Sequence, residues 1–171
     1  MKQKAEKAKM EFLRFPVISQ GAEHLVQGYL MRRNILTFKA PINNEGYDLI
    51  CIHPDPPETR RPVRVQVKSR YATDCPREFP LRTKSLDAFD FLVVAFLNVG
   101  YYHNDRLITR AGLMPPEFYT FPASFIRKHH DHTTSWPKVR LRGMTLDRYR
   151  NGLGFDLIAR KLGIPYPTRD E

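Results

Sequence analysis

The chain has 171 residues, about one domain's length, and 42% of them are apolar with 12% aromatic. That is too apolar for a disordered basic tail, because burial on this scale offsets the entropy of ordering. Lys and Arg number 28 against 18 Asp and Glu, a formal charge of +10, which favours polyanionic partners without naming one. The longest apolar run, 91–97, has seven residues, whereas a membrane helix needs about 20. No charged-then-apolar leader opens the chain, and Cys51 and Cys75 have no CxxC partner. Membrane, secreted, disulfide-framed and cysteine–zinc classes are set aside, and a cytoplasmic protein is expected.

In chain order, Lys2, Lys4, Lys7 and Lys9 alternate with Ala and Glu, which reads as a basic helical extension over 1–16. Ser19 offers an N-cap for a helix in which Ala22, Leu25, Val26, Tyr29 and Leu30 form an amphipathic stripe ending near Asn34. Ile35-Leu36-Thr37-Phe38 is a first strand, and 47–52 a second. Pro54, Pro56, Pro57 and Pro62 mark a connecting loop. The stretch 63–69 then alternates strictly, so Val63, Val65 and Val67 face one way and Arg64, Gln66 and Lys68 the other. Residues 91–97 are apolar on both faces, as in a strand covered on both sides. Phe118 to Phe121 is a further strand; Pro122 opens a helix with Phe125 and Ile126 inward, fading at His129. Val139-Arg140-Leu141 reads as an edge strand, and Gly154 to Leu162 as a last helix closed by Gly163 and Pro165. The expected fold is α/β with a mixed central sheet flanked by helices. Residues 17–143 form its domain, and 144–171 a helical extension packed on it.

The charge is not spread evenly. Eight basic residues stand against two acidic ones between Arg60 and Lys84, so this seventh of the chain holds +6 of the +10. A solvated loop region accounts for such a cluster, and so does a groove edge that meets phosphates.

Four residues stand out as chemistry: Glu23 on the first helix, Asp48 at the second strand, and Gln66 with Lys68 on the third. Gln66 and Lys68 lie two apart in a strand and therefore point together, and Asp48 shares a face with Ile50 and Ile52. Adjacent strands can thus gather a carboxylate, an amide oxygen and an ammonium. Oxygen ligands suit a hard divalent cation, and a Lys beside one can orient or deprotonate a water.

The pattern Gly21-Ala22-Glu23, Gly46-Tyr47-Asp48 and Gln66-Val67-Lys68-Ser69 resembles the PD-(D/E)XK nuclease superfamily. More narrowly, it is similar to the branch in which glutamine replaces the motif glutamate, seen in group I intron homing endonucleases. The resemblance covers roughly 17–97 and implies a restriction-endonuclease-like αβββαβ core. It implies a Mg²⁺-dependent endonuclease acting on DNA, with Mn²⁺ as a substitute. Asp48 would be the bridging metal ligand, Gln66 would stand at the second ligand position, Lys68 would position the attacking water, and Glu23 would assist the metal site. Arg60, Arg61, Arg64, Ser69, Arg70, Arg77, Arg82 and Lys84 would contact nucleic acid. A homodimer is implied in the same way, since double-strand cutting in this superfamily usually involves dimers. The chain departs from the pattern twice: Gln66 lacks the acid's negative charge, and Tyr47 stands where the pattern has proline.

Each residue also has a plainer reading. Asp48 can serve a turn at the start of its strand, and Glu23 can complement the helix dipole. His129-His130-Asp131-His132 reads as a helix end rather than a zinc site, because adjacent residues cannot converge on one helical face. Trp136 and the pair Tyr101-Tyr102 read as packing. The rival functional reading is a nucleic-acid-binding module on the nuclease fold that has lost hydrolysis.

Overall fold

The structure, a computed structural model, describes residues 17–41, 44, 46–55, 61–73, 78–99, 114–133 and 137–165. The expected extension at 1–16 lies outside the described residues, as do Arg60, Arg77, Tyr101, Tyr102 and Trp136.

Helix α1 (Ile18–Met31) buries Ala22, Val26 and Leu30, with Leu25 and Tyr29 packed beside them. The stripe legible in the sequence is therefore the docking face. The helix starts earlier than Ser19, which sits inside it: the Val17 carbonyl accepts the Gly21 N–H at 2.9 Å, and no side chain caps the end. Strands β1 (Leu36–Lys39), β2 (Leu49–Ile52) and β3 (Val63–Arg70) follow as an antiparallel meander. After β3 come the short β4 (Glu78–Pro80), a 3₁₀ turn (Thr83–Ser85) and β5 (Phe91–Phe96), which pairs with β3 in parallel. Strand β6 (Glu117–Pro122) returns antiparallel to β5 and leads directly into helix α2 (Ala123–His129). The chain closes with β7 (His130–Asp131), β8 (Lys138–Arg140) and helix α3 (Asn151–Leu162), ended by Gly163 at φ 64°.

The central sheet runs β1-β2-β3-β5-β6, mixed and five-stranded, and β4-β8-β7 form a second, three-stranded sheet. The expected α/β class with a mixed, helix-flanked sheet is what the molecule has. In detail, the crossover between the parallel strands carries β4 and a 3₁₀ turn where a helix is usual. Residues 138–140 are the middle of the small sheet, not an edge, because β4 and β7 pair on either side of them.

The alternation in β3 divides the core. Val63, Val65 and Val67 join Phe91, Val93, Ala95 and Phe118 under α1 and α3, whose Phe155, Ile158, Ala159 and Leu162 are buried there. On the opposite face, Leu92, Val94, Phe96 and Phe121 pack under the small sheet and α2 through Phe79, Leu81, Val139 and Ile126. That second layer covers β5 and β6; on the same face of β3 stand Gln66 and Lys68. Among the described residues no helix is long and apolar enough to cross a membrane.

Candidate metal and active site

Asp48 sits at the residue preceding β2 and is tied three ways. Its N–H donates to the Val65 carbonyl at 2.9 Å, its carbonyl accepts the Ala40 N–H at 2.8 Å, and its Oδ2 accepts the Val67 N–H at 2.7 Å. The last bond takes the place of a ladder bond just before β2 begins. It fixes the carboxylate against β3 and leaves Oδ1 without a hydrogen bond to the described residues. The plainer reading, a carboxylate serving the start of a strand, is thus met by one oxygen, while the other remains available.

Asp48 is placed by what precedes it. Gly46 has φ 107°, and a Cβ there would lie 2.3 Å from the Ala88 Cβ and 3.8 Å from the Ser85 Cβ. Only glycine lets the segment before β2 lie this close to the 3₁₀ turn. Tyr47, in the position of the pattern's proline, packs against the same cluster as Leu86 of that turn. Two segments distant in sequence are thereby clamped together beside the carboxylate.

Gln66 is 8% exposed, and its Oε1 is buried with no hydrogen-bond partner. An orphaned buried acceptor costs about 1–3 kcal/mol, and it is satisfied by a donor or a cation. Lys68, two residues on and on the same face, is largely buried. Burial pushes its ammonium pKa down, the Asp48 carboxylate pulls it back up, and the cations of Arg70 and Arg82 push it down again. Asp48, Gln66 and Lys68 are therefore brought together, with Arg70 and Arg82 in electrostatic reach. Oδ1 of Asp48 and Oε1 of Gln66 are uncommitted hard oxygens, a donor set that fits Mg²⁺ or Mn²⁺. Among the described residues no group of three or more His, Cys, Asp or Glu gathers as a metal cluster.

Glu23 is placed differently. Its Oε2 pairs with the Lys39 ammonium, and Lys39 is in register with Leu49, the residue after Asp48. The helix carboxylate thus reaches the Asp48 end of the sheet from the α1 side, but it is engaged by a cation there. Nothing in the sequence pattern signals Lys39, because the pair depends on how α1 lies over β1.

The expected nucleic-acid contacts divide. Arg64 faces the same way as Lys68 but stands four residues earlier, about 13 Å along the strand. Both its N–H and its guanidinium are held by Asp90, at 2.8 and 3.2 Å. Ser69 shares the valine face, away from Gln66 and Lys68. The Arg70 guanidinium donates to the Glu78 carbonyl and lies over the Phe79 ring at 4.8 Å, fastening β4 to the end of β3. Arg64 and Arg70 are thus engaged by partners within the fold, and Ser69 lies on the face away from Lys68. Arg61, Arg82 and Lys84 are exposed. The histidine run is structural: His130 Nε2 donates to the Leu81 carbonyl at 2.8 Å, and His129 lies against Phe125 at 4.4 Å.

The architecture is of the restriction-endonuclease-like class. It is similar to the structure of a bacterial homing endonuclease, I-Ssp6803I, at a TM-score of 0.51 and 18% identity, over 88% of this chain and 94% of that one. Hjc, a Holliday junction resolvase from the archaeal hyperthermophile Archaeoglobus fulgidus, aligns over 88% of this chain and 99% of its own at 13% identity and a TM-score of 0.44. At 18% identity the likeness to the endonuclease bears on the fold. By sequence, no protein-family model and no curated protein matches the chain.

Proposed function

We propose that the chain is a metal-dependent endonuclease that hydrolyses DNA phosphodiester bonds through Asp48, Gln66 and Lys68. The observation that carries this reading is the buried, unpartnered Oε1 of Gln66 on the same face as Asp48 and Lys68. Asp48 Oδ1 and Gln66 Oε1 would hold Mg²⁺, with Mn²⁺ as substitute, and Glu23 would assist from the α1 side when released from Lys39. Bound there, the cation would supply Lewis-acid stabilisation of the charge that grows on the phosphoryl oxygens.

The protein's own part is positioning and proton transfer. Lys68, its pKa lowered by burial and by neighbouring cations, holds a water and accepts its proton. The water oxygen bonds to phosphorus as the bond to the leaving sugar oxygen breaks, and a solvent proton neutralises the leaving group. The fold likeness to a homing endonuclease supports DNA as the substrate, and a dimer for cutting both strands rests on the motif resemblance alone.

Asp48→Ala and Lys68→Ala should abolish Mg²⁺-dependent cleavage while leaving the circular dichroism spectrum unchanged. A wild-type protein that leaves duplex, nicked, branched and single-stranded DNA intact with both Mg²⁺ and Mn²⁺ would refute the reading. One observation favours a binding module instead: with Glu23 engaged by Lys39, a single carboxylate serves the site. In that case DNA binding is salt-dependent and indifferent to Asp48→Ala.

A further inference from the structure

The candidate site is poor in acid and rich in base. One carboxylate, Asp48, stands with the basic side chains of Lys68, Arg70 and Arg82, because Gln66 carries no charge. Arg70 is committed to the Glu78 carbonyl and the Phe79 ring. Arg82 is not: it is exposed and makes no ion pair among the described residues.

Its backbone is nevertheless firmly held. Leu81, buried beside it, donates its N–H to the Pro137 carbonyl at 3.0 Å and accepts from His130 Nε2 at 2.8 Å. On the other side the Arg82 carbonyl accepts the Ser85 N–H at 2.9 Å, closing the 3₁₀ turn. That turn is the one against which Gly46 is pressed, with its notional Cβ 3.8 Å from the Ser85 Cβ. A fixed base thus carries an uncommitted guanidinium, on the turn that meets Gly46 and within electrostatic reach of Lys68.

We infer that Arg82 contacts the phosphate undergoing cleavage, donating to a non-bridging oxygen, rather than a phosphate elsewhere along the DNA backbone. This rests on the nuclease reading above. A guanidinium suits the task because its planar fork matches two phosphate oxygens and stays charged at all working pH values. In a site lacking the second carboxylate, the phosphate's negative charge itself offsets the clustered cations. Arg82 then stabilises the charge that increases on those oxygens in the transition state.

The test uses Arg82→Ala and Arg82→Lys beside wild type and Asp48→Ala. Cleavage is measured in single turnover at saturating DNA with Mg²⁺. DNA affinity is measured by fluorescence anisotropy with Ca²⁺ across a salt series. Arg82→Ala should cut at saturation about 10²–10³-fold more slowly, and Arg82→Lys should recover part of the loss. With the cut mapped, a duplex carrying one uncharged methylphosphonate at that linkage should bind wild type more weakly than unmodified duplex, and bind Arg82→Ala with no further loss. If Arg82→Ala cleaves at the wild-type rate once saturated, or loses affinity equally with both duplexes while Asp48→Ala is dead, the assignment is overturned and the nuclease reading stands. If wild type does not cleave and Asp48→Ala behaves identically, both fall together.

Discussion

Replacing Gly46 by Ala tests how the site is positioned. Two costs can be worked from the structure. The first is backbone strain: φ 107° is open to glycine and rarely adopted by an L side chain, and holding alanine there costs about 1–3 kcal/mol. The second is steric. The new Cβ would start 2.3 Å from the Ala88 Cβ, and an ordinary contact of about 3.5–4.0 Å requires the two segments to part by over ~1 Å. Overpacking of this kind costs about 1–3 kcal/mol. Denaturant unfolding should therefore show a loss of about 2–6 kcal/mol. In the molecules that remain folded, Asp48 and the 82–88 turn move apart, and a shift of ~1 Å at a reacting centre lowers activity by about 100-fold. The double variant Gly46→Ala/Ala88→Gly removes the contact but not the φ strain. It should regain the steric share of stability and much of the activity. A Gly46→Ala protein within about 0.5 kcal/mol of wild type, with activity unchanged, would refute the clamp.

Other outcomes follow from the same structure. Burial pushes the Cys51 thiol up to about 12, against a weaker opposing hydrogen bond from Thr37; at pH 8 only about 10⁻⁴ of it is thiolate. Peptide mapping after iodoacetamide treatment should find Cys51 unmodified in native protein and alkylated in urea; rapid native alkylation would contradict its placement between α1 and the sheet. In the small sheet, Lys138 lowers the Glu78 carboxyl pKa, aided by Arg140 and Arg70, and Thr133 lowers that of Asp131, aided by Arg140. Because the folded pKa lies below the ordinary 4.5 and 3.8, their contribution is complete above those values and lost as pH falls through the folded pKa. Hydrogen exchange should show β8 amides losing protection in acid before those of β5, and earlier protection loss in β5 would count against this order.

How far the sequence carried the site depends on range. The strict alternation of 63–69 separates Val63, Val65 and Val67 from Gln66 and Lys68, and the structure buries the valines under α1 and α3. Parity alone therefore put Gln66 and Lys68 on one face, and parity across the neighbouring strand added Asp48. The same parity assigns Ser69 to the valine face, and extending the alternation by one residue sufficed to see it. What local pattern could not carry were pairs set by packing. Asp90 holds Arg64 across 26 residues, and Lys39 meets Glu23 only because α1 folds back over β1. The strand at 139–141 was legible, but its partners β4 and β7, of three and two residues, are too short for any period to show, so the small sheet that fastens Arg70 was not. Gly46 was visible as a motif residue, but its reason, the approach of Ala88, lies 42 residues away.

The central claim is that Asp48 and Gln66 offer their free oxygens to a divalent cation. Calorimetric titration of Mn²⁺ into wild type, Asp48→Ala and the near-isosteric Gln66→Leu tests it most directly. Saturable binding by wild type, abolished in Asp48→Ala and weakened at least about tenfold in Gln66→Leu, is the expected result, since losing even an outer partner of a ligand costs about 10–100-fold in affinity. Equal Mn²⁺ binding by all three proteins, or none by wild type, would contradict it.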